Sequence, residues 1–142
     1  MKLNTDGLVF GNLGVASCGG VIRDDCGNWI SGFTKRIGIT NSFITEMWGL
    51  REGLIMCCNL NIASLIVELD ARAVVDAFSN NHYVNNIISP ILDDCRLLSS
   101  RFNQIQFKHC YHEGNRVADT LAKMSYSHEV DCVPLLVRLW MF

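Results

Sequence analysis

Three apolar runs, separated by short polar joints, occupy the N-terminal part of the chain. They are KLNTDGLVF at residues 2–10, VASCGGVIRDD at 15–25 and WISGFTKRIG at 29–38. Glycine and asparagine in the joints favour tight turns, because both tolerate backbone conformations that other residues avoid. The pattern therefore predicts three strands in an antiparallel meander.

The period of the apolar positions changes after this meander. In SFITEMWGLREGLIMCCNLN, at residues 42–61, Met47, Leu50 and Leu54 recur at helical spacing. This spacing predicts a helix of about five turns, with Ser42 as its N-terminal cap. Two glycines inside the helix each cost about 1 kcal/mol relative to alanine, which indicates that the helix packs closely on a sheet.

Strand and helix patterns alternate in the remainder of the chain. ASLIVELD reads as a central buried strand that ends at Asp70, and QIQFKHCYH alternates like a second strand. Helices are predicted in ARAVVDAFSN, from about Ser89 to Arg101, and in GNRVADTLAKMSYS with Asn115 as its cap. The order βββαβααβα predicts an α/β domain with one mixed five-stranded sheet flanked by helices. Residues 1–125 would form this domain, and residues 126–142 an apolar C-terminal extension.

Composition narrows the class of protein. The chain has 142 residues, of which 49% are hydrophobic and 18% charged, and these values fit one folded domain. The net charge of −2 does not by itself favour nucleic-acid binding. The seven cysteines include no C-x-x-C pair, so we expect buried thiols in an intracellular, reducing compartment. No signal peptide is recognisable, and the apolar end VPLLVRLWMF is too short for a membrane span.

Four carboxylates interrupt or end apolar patterns instead of lying on charged faces: Asp6, Glu46, Asp70 and Asp119. Bringing such groups near a core costs several kcal/mol unless they are paired or bound to a cation. No lysine or arginine is evident beside them, so we expect the compensating charge to be a metal. Carboxylate oxygens suit Mg²⁺ or Mn²⁺, and four acids can hold two ions about 4 Å apart. Taken singly, each acid also fits an ordinary role at a helix start, a strand end or a solvated helix face.

Six motifs in order resemble the ribonuclease H domains, most closely their plant, retroelement-derived branch. The matching segments are KLNTDG at 2–7, GGVIRDDCGNWISGF at 19–33, TEMWGLREGL at 45–54, IVELDARAVV at 66–75, DDCRLL at 93–98 and HEGNRVADTLAK at 112–123. The resemblance implies a ribonuclease H-like fold and hydrolysis of the RNA strand of RNA/DNA hybrids, leaving a 3′-hydroxyl and a 5′-phosphate. It also implies that Asp6, Glu46, Asp70 and Asp119 are catalytic and bind two Mg²⁺ or Mn²⁺ ions.

The resemblance extends to residues outside the four acids. It implies substrate contacts by Gly7, Arg72, Asn115 and Arg116, and Gly7 would let the backbone of the first strand approach the RNA. Recognition would depend on backbone shape and 2′-hydroxyls. The bacterial enzymes carry a mobile catalytic histidine ten residues before the last aspartate, where this chain has His109. Because its neighbours read as strand, a structural histidine is the other interpretation.

The sequence also departs from the family pattern. Thr45 stands where the family commonly has alanine, and His112 stands where the plant branch has arginine, so a phosphate contact or an ion pair with an acid would be weaker. No lysine-rich protrusion is present, so we expect modest, salt-sensitive affinity for the hybrid. We expect a monomer or part of a longer polyprotein. Two alternatives to an active ribonuclease H stay open: a weak or inactive nucleic-acid-binding relic, and a nuclease of the same fold with another substrate.

Overall fold

The strands of the domain lie in a single mixed sheet, with helices on both faces. The computed structural model describes residues 1–10, 14–79, 89–127 and 132–135. Its strands are β1 (Lys2–Phe10), β2 (Val15–Arg23), β3 (Trp29–Ile39), β4 (Ser64–Leu69), β5 (Gln104–His109) and β6 (Cys132–Leu135). Its helices are α1 (Ser42–Asn59), α2 (Arg72–Ser79), α3 (Ser89–Ser99) and α4 (Arg116–Ser127), with one 3₁₀ turn at His112–Asn115 just before α4.

The strand order is β5-β4-β1-β2-β3-β6. β1, β2 and β3 form the predicted antiparallel meander, while β4 pairs parallel to both β1 and β5. The α/β class and the predicted element order are confirmed. β6 was not predicted: it lies in the segment assigned to the extension and pairs antiparallel with β3, from Gly32↔Leu135 to Lys35↔Cys132. Residues 128–131 and 136–142 of that extension lie outside the described part of the chain.

Side chains on the two faces of the sheet enter two separate apolar clusters. Leu3 and Ile22, which are partners across β1 and β2, pack in the larger cluster with residues of α1 and α3 such as Leu50 and Leu92. Val21, the neighbour of Ile22, points to the opposite face and packs against Leu121 of α4. The period-two alternation of the strands thus divides the core between α1 and α3 on one side and α4 on the other.

Helix α1 approaches the sheet closely, as its glycines predicted. A Cβ atom placed on Gly53 would lie 2.9 Å from Leu3 Cδ2 and from Thr5 Cγ2, so alanine at this position would require these side chains to shift. The predicted cap is wrong by one residue. Asn41, not Ser42, caps α1, and its Oδ1 accepts a hydrogen bond from the backbone N–H of Ile44 at 2.9 Å.

The described cysteines carry free thiols: Cys18, Cys26, Cys57, Cys58, Cys95 and Cys110. Burial raises the pKa of the Cys57 and Cys95 thiols to about 12, so these two groups stay protonated at neutral pH. No helix within the described residues is long and apolar enough to cross a membrane.

Candidate active site

Asp6 and Asp70 are neighbours because of the parallel pairing between β1 and β4. Thr5 of β1 is the partner of Leu69 of β4. The residues that follow them, Asp6 and Asp70, therefore lie side by side at the same end of the two strands. The Asp6 side chain is buried, and its Oδ1 accepts a hydrogen bond from the backbone N–H of Gly7 at 2.9 Å. Asp70 lies at the mouth of the site, with its side chain 18% exposed.

Glu46 reaches Asp6 because the first turns of α1 press against β1. A Cβ atom on Gly7 would lie 2.8 Å from Thr45 Cγ2 and 2.9 Å from the backbone N of Glu46. Only glycine lets helix and strand approach so closely at this position. Gly7 is buried and makes room for α1, and its predicted contact with the RNA backbone stays a prediction.

Asp119 of α4 completes the acidic group from the other face of the sheet. Its side chain is buried, and it is close enough to Asp6 to raise the pKa of that carboxyl. Lys123, one turn later on the same helix, places its Nζ 2.9 Å from Asp119 Oδ2. The expectation that no basic residue accompanies the acids is therefore wrong for Asp119. The i, i+4 spacing was visible in the sequence and could have predicted this pair.

The protonation of Asp6 and Glu46 shows how strongly these carboxyls affect each other. Burial, assisted by the charges of Asp70 and Asp119, raises the pKa of Asp6 to about 7. Burial, with Asp6 next in importance, raises the pKa of Glu46 to about 10. Glu46 therefore keeps its proton beside Asp6 at neutral pH, while Glu46 Oε2 is buried without a hydrogen-bond partner. Without a cation, the site holds a proton where charge repulsion would otherwise be severe.

These observations fit a divalent cation. A buried carboxylate oxygen without a hydrogen-bond donor is costly, and a bound cation would both contact it and release the proton that Glu46 retains. The ligands that the acids offer are oxygens, which hard ions prefer. One atom each from Asp6, Asp70 and His112 lies within 4.8 Å of the other two, which is close enough for three side chains to share an ion after a small contraction.

The predictions based on sequence did not give His112 a place in the site. They noted this residue only as a replacement for arginine, but its Nδ1 lies 3.5 Å from Asp70 Oδ2. His109 lies at the end of β5, where its ring packs edge to face on Tyr111 with 5.5 Å between the ring centroids. It does not join the group of three residues around Asp6. The structural interpretation of His109 therefore agrees better with its position than the catalytic one.

The remaining predicted substrate contacts are placed differently from one another. Asn115 is fully buried: its Nδ2 donates to the carbonyl of Thr5 at 2.7 Å, and its Oδ1 accepts from Asn4 Nδ2 at 3.2 Å. Its amide is thus used inside the domain, and the predicted substrate contact stays a prediction; Asn115 stands, as predicted, directly before the first residue of α4. Arg72 and Arg116 are exposed at the first residues of α2 and α4, and within the described residues neither makes an ion pair with an acid.

Known proteins match both the sequence and the fold. Residues 4–125 match the reverse transcriptase-like family. The chain is 32% identical over 139 residues to a putative ribonuclease H protein of Arabidopsis thaliana, a match that covers 94% of this chain and 22% of the relative. The chain therefore spans about a fifth of the length of this curated relative.

Solved structures of ribonuclease H domains resemble the fold closely. An N-terminal RNase H domain from Mycobacterium tuberculosis, solved as a fusion with maltose binding protein, matches with a TM-score of 0.82 and 23% identity, covering 89% of this chain and 92% of that one. RNase H1 of the archaeon Halobacterium salinarum matches with a TM-score of 0.83 and 20% identity, covering 89% and 96%. LC11-RNase H1, in complex with an RNA/DNA hybrid, matches with a TM-score of 0.82 and 21% identity, also covering 89% and 96%.

The fold is that of the ribonuclease H domains, as the sequence motifs implied. The match over residues 4–125 covers most of the chain, which therefore belongs to the reverse transcriptase-like family.

Proposed function

We propose that this domain is a metal-dependent endonuclease that hydrolyses the RNA strand of RNA/DNA hybrids. One observation carries the proposal. Asp6 of β1, Glu46 of α1 and Asp70 just after β4 interact at a site where Glu46 Oε2 is buried without a hydrogen-bond partner. Such an arrangement destabilises a metal-free fold, and a cation would offset the cost.

Asp6, Glu46, Asp70 and Asp119 would hold the metal, which we propose to be two Mg²⁺ or Mn²⁺ ions. Bound divalent ions supply a water of lowered pKa and a positive charge for the leaving oxygen of a phosphodiester. The chain's own contribution is to hold the ligands in place. The Gly7 N–H fixes the orientation of the Asp6 carboxylate, and the packing of α1 on β1 fixes Glu46.

The surroundings of the acids are compatible with an extended, anionic substrate. A groove of about 360 Å³ lies beside Glu46 and is lined by Phe43 and Arg72, among other residues. Arg72 and Arg116 are exposed at the starts of α2 and α4, where a phosphate would also meet backbone N–H groups. LC11-RNase H1, a protein of the same fold, forms a complex with an RNA/DNA hybrid. Recognition by backbone shape and 2′-hydroxyls needs no excess of basic residues at every position.

A cleavage assay tests this proposal directly. The 142-residue chain is incubated with a labelled RNA/DNA hybrid, double-stranded RNA and single-stranded RNA, with Mg²⁺ or with a chelator. We expect cleavage of the hybrid alone, dependent on the metal, and loss of cleavage in Asp6→Asn and Asp70→Asn. Asp76→Asn, which changes an exposed acid of α2, serves as the matched control and should cleave normally. Cleavage in the chelator, or undiminished cleavage by Asp6→Asn, would refute the site.

A second candidate function is a catalytically weak or inactive nucleic-acid-binding domain. The observation that favours it is the 2.9 Å ion pair between Lys123 and Asp119 Oδ2, which occupies an oxygen that a metal would need. A domain of this second kind would retard the hybrid in a gel-shift assay but leave it intact at every Mg²⁺ concentration. Slow cleavage that rises steeply with Mg²⁺ would instead favour the enzyme, because the metal would then displace the lysine.

A further inference from the structure

We propose that His112 is a metal ligand of the acidic site, and that its imidazole makes the site favour Mn²⁺ and similar transition-metal ions over Mg²⁺. The inference rests on the proposed function only in that a cation must bind among the acids. The imidazole adds a nitrogen to ligands that are otherwise all oxygens, and this nitrogen determines which class of ion the site prefers.

The ligand atoms of Asp6, Asp70 and His112 lie close together. One ligand atom each of Asp6, Asp70 and His112 lies within 4.8 Å of the other two. The His112 Nδ1 to Asp70 Oδ2 distance of 3.5 Å is longer than a charge-assisted hydrogen bond, which spans roughly 2.7–2.9 Å. Two ligands on one ion, each about 2.1 Å from it and at near-octahedral or tetrahedral angles, lie roughly 3.0–3.5 Å apart. The observed spacing therefore suits two ligands that share an ion.

The backbone around His112 holds it beside the strands that carry the aspartates. On one side of the histidine, the backbone N–H of Cys110 donates to the carbonyl of Leu69 at 2.8 Å, immediately before Asp70. On the other side, the side-chain Nδ2 of the buried Asn115 donates to the backbone carbonyl of Thr5 at 2.7 Å, and Thr5 immediately precedes Asp6. The 3₁₀ turn is thus fixed to both strands.

The side chain of His112 retains freedom within this fixed frame. It is 69% exposed, so its ring can adjust when an ion binds. A metal ligand can have a fixed backbone and an adjustable side chain, because the bound ion then sets the final orientation of the imidazole ring.

Glu46 gives an independent indication that a cation belongs here. Its Oε2 is buried, lacks a hydrogen-bond partner and lies in the carboxyl group that contacts Asp6. The site therefore lacks positive charge at its inner end, while His112 stands at its solvent-exposed end. A neutral imidazole adds a donor atom to the site without adding another negative charge, so it does not increase the repulsion among the carboxylates.

The ligand type predicts the preference between ions. Mg²⁺ prefers oxygen ligands and keeps its waters, whereas imidazole nitrogen is a ligand of transition-metal ions, strongest for Fe²⁺, Ni²⁺, Cu²⁺ and Zn²⁺ and weakest for Mn²⁺, which stands first in their affinity order. Arginine at this position would have no lone pair to offer a metal, so the imidazole of His112 gives the site a ligand that a guanidinium could not supply.

Pulsed electron paramagnetic resonance of Mn²⁺ bound to the full chain tests this inference without any measurement of cleavage. A coordinated imidazole produces a modulation from the directly bound ¹⁴N nucleus. We expect this modulation in the unaltered protein and in His109→Gln, and its loss in His112→Gln. His109→Gln is the matched control, since it removes a nearby imidazole that does not join the three-residue group.

Calorimetric titration with each ion supplies the second measurement. Loss of an outer-shell partner of a metal site typically weakens metal binding by roughly 10-fold to 100-fold, so we expect the loss of a direct ligand in His112→Gln to weaken Mn²⁺ binding by at least the lower value. Mg²⁺ binding should change little. Mn²⁺ that binds without ¹⁴N modulation, and with equal affinity in His112→Gln, would overturn the inference and leave the proposed function intact. If Asp6→Asn binds Mn²⁺ and Mg²⁺ as tightly as the unaltered protein does, both the inference about His112 and the proposed function would be refuted.

Discussion

The carboxyl of Glu46 lies beside that of Asp6, although the two residues are forty positions apart in the chain, and burial together with Asp6 raises the pKa of Glu46 to about 10. A buried pair of acids that shares a proton is a strained arrangement in a metal-free protein. It stores the repulsion that a cation removes on binding, because both carboxylates can then ionise. Stability, metal affinity and pH are therefore linked at this one contact.

The raised pKa values predict that the metal-free protein loses stability as the pH rises. An acid with a raised folded pKa contributes most to folding below its unfolded pKa, and that contribution is lost as the pH rises toward the folded pKa. The interval runs from 3.8 to about 7 for Asp6 and from 4.5 to about 10 for Glu46. Thermal unfolding in a chelator should give a melting temperature that falls from about pH 5 to about pH 9. A melting temperature that rises over this interval would contradict the raised pKa values.

Saturating Mg²⁺ should flatten this dependence on pH. The metal competes with protons for the same carboxylates, so it stabilises the protein more at high pH than at low pH. The difference between melting curves with Mg²⁺ and with chelator therefore measures occupancy of the site. An equal increase at every pH would mean that the ion binds elsewhere.

Neutral amide replacements of the buried acids should stabilise the metal-free protein. Asp6→Asn or Glu46→Gln removes the mutual repulsion while retaining the shape of the side chain and its hydrogen-bonding capacity. We expect a gain of roughly 1–3 kcal/mol in the free energy of unfolding in chelator, because a tenfold change in proton affinity on folding corresponds to about 1.4 kcal/mol. Chemical denaturation measures this gain. Asp76→Asn should leave the stability unchanged, and a loss of stability in both buried variants would count against clustered carboxylates.

Gly7→Ala should both destabilise the fold and displace the side chain of Glu46. The added methyl group would lie 2.9 Å from the backbone N of Glu46, so α1 or β1 must shift. Overpacking of this kind typically costs about 1–3 kcal/mol, which urea denaturation would detect, and hybrid cleavage should fall with it. Gly114→Ala is the matched control, since its added Cβ would meet only Cys110 Cβ at 3.9 Å. Equal effects of the two substitutions would show that close packing of α1 does not require glycine at position 7.

Lys123→Gln should release Asp119 and tighten Mg²⁺ binding. The lysine is attracted to the Asp119 carboxylate, which raises the pKa of its ammonium group and shows that the two charges interact. Removal of this competitor leaves both Asp119 oxygens available to a cation. Isothermal titration with Mg²⁺ measures the change, with Lys108→Gln on the exposed face of β5 as the control. Weaker Mg²⁺ binding in Lys123→Gln alone would show instead that the lysine orients Asp119 as a ligand.

The sequence alone predicted the α/β class, the meander, the close packing of α1 and the family resemblance. Each depends on local periodicity or on motifs read in order, and period-two and helical patterns determine which face of an element is buried. The four acids were also singled out by their positions in apolar patterns, and their catalytic roles stay a prediction.

The tertiary structure decided which side chains meet. His112 contacts Asp70 across 42 residues, and Asn115 reaches Thr5 across 110, so neither contact leaves a trace in local spacing. The packing role of Gly7 could be recognised only once the position of α1 was known. The pairing of β6 with β3 likewise depends on β3 being available at the edge of the assembled sheet. Faces are local properties of strands and helices, whereas register, close approach and the ligands of a shared site arise only when distant elements pack together.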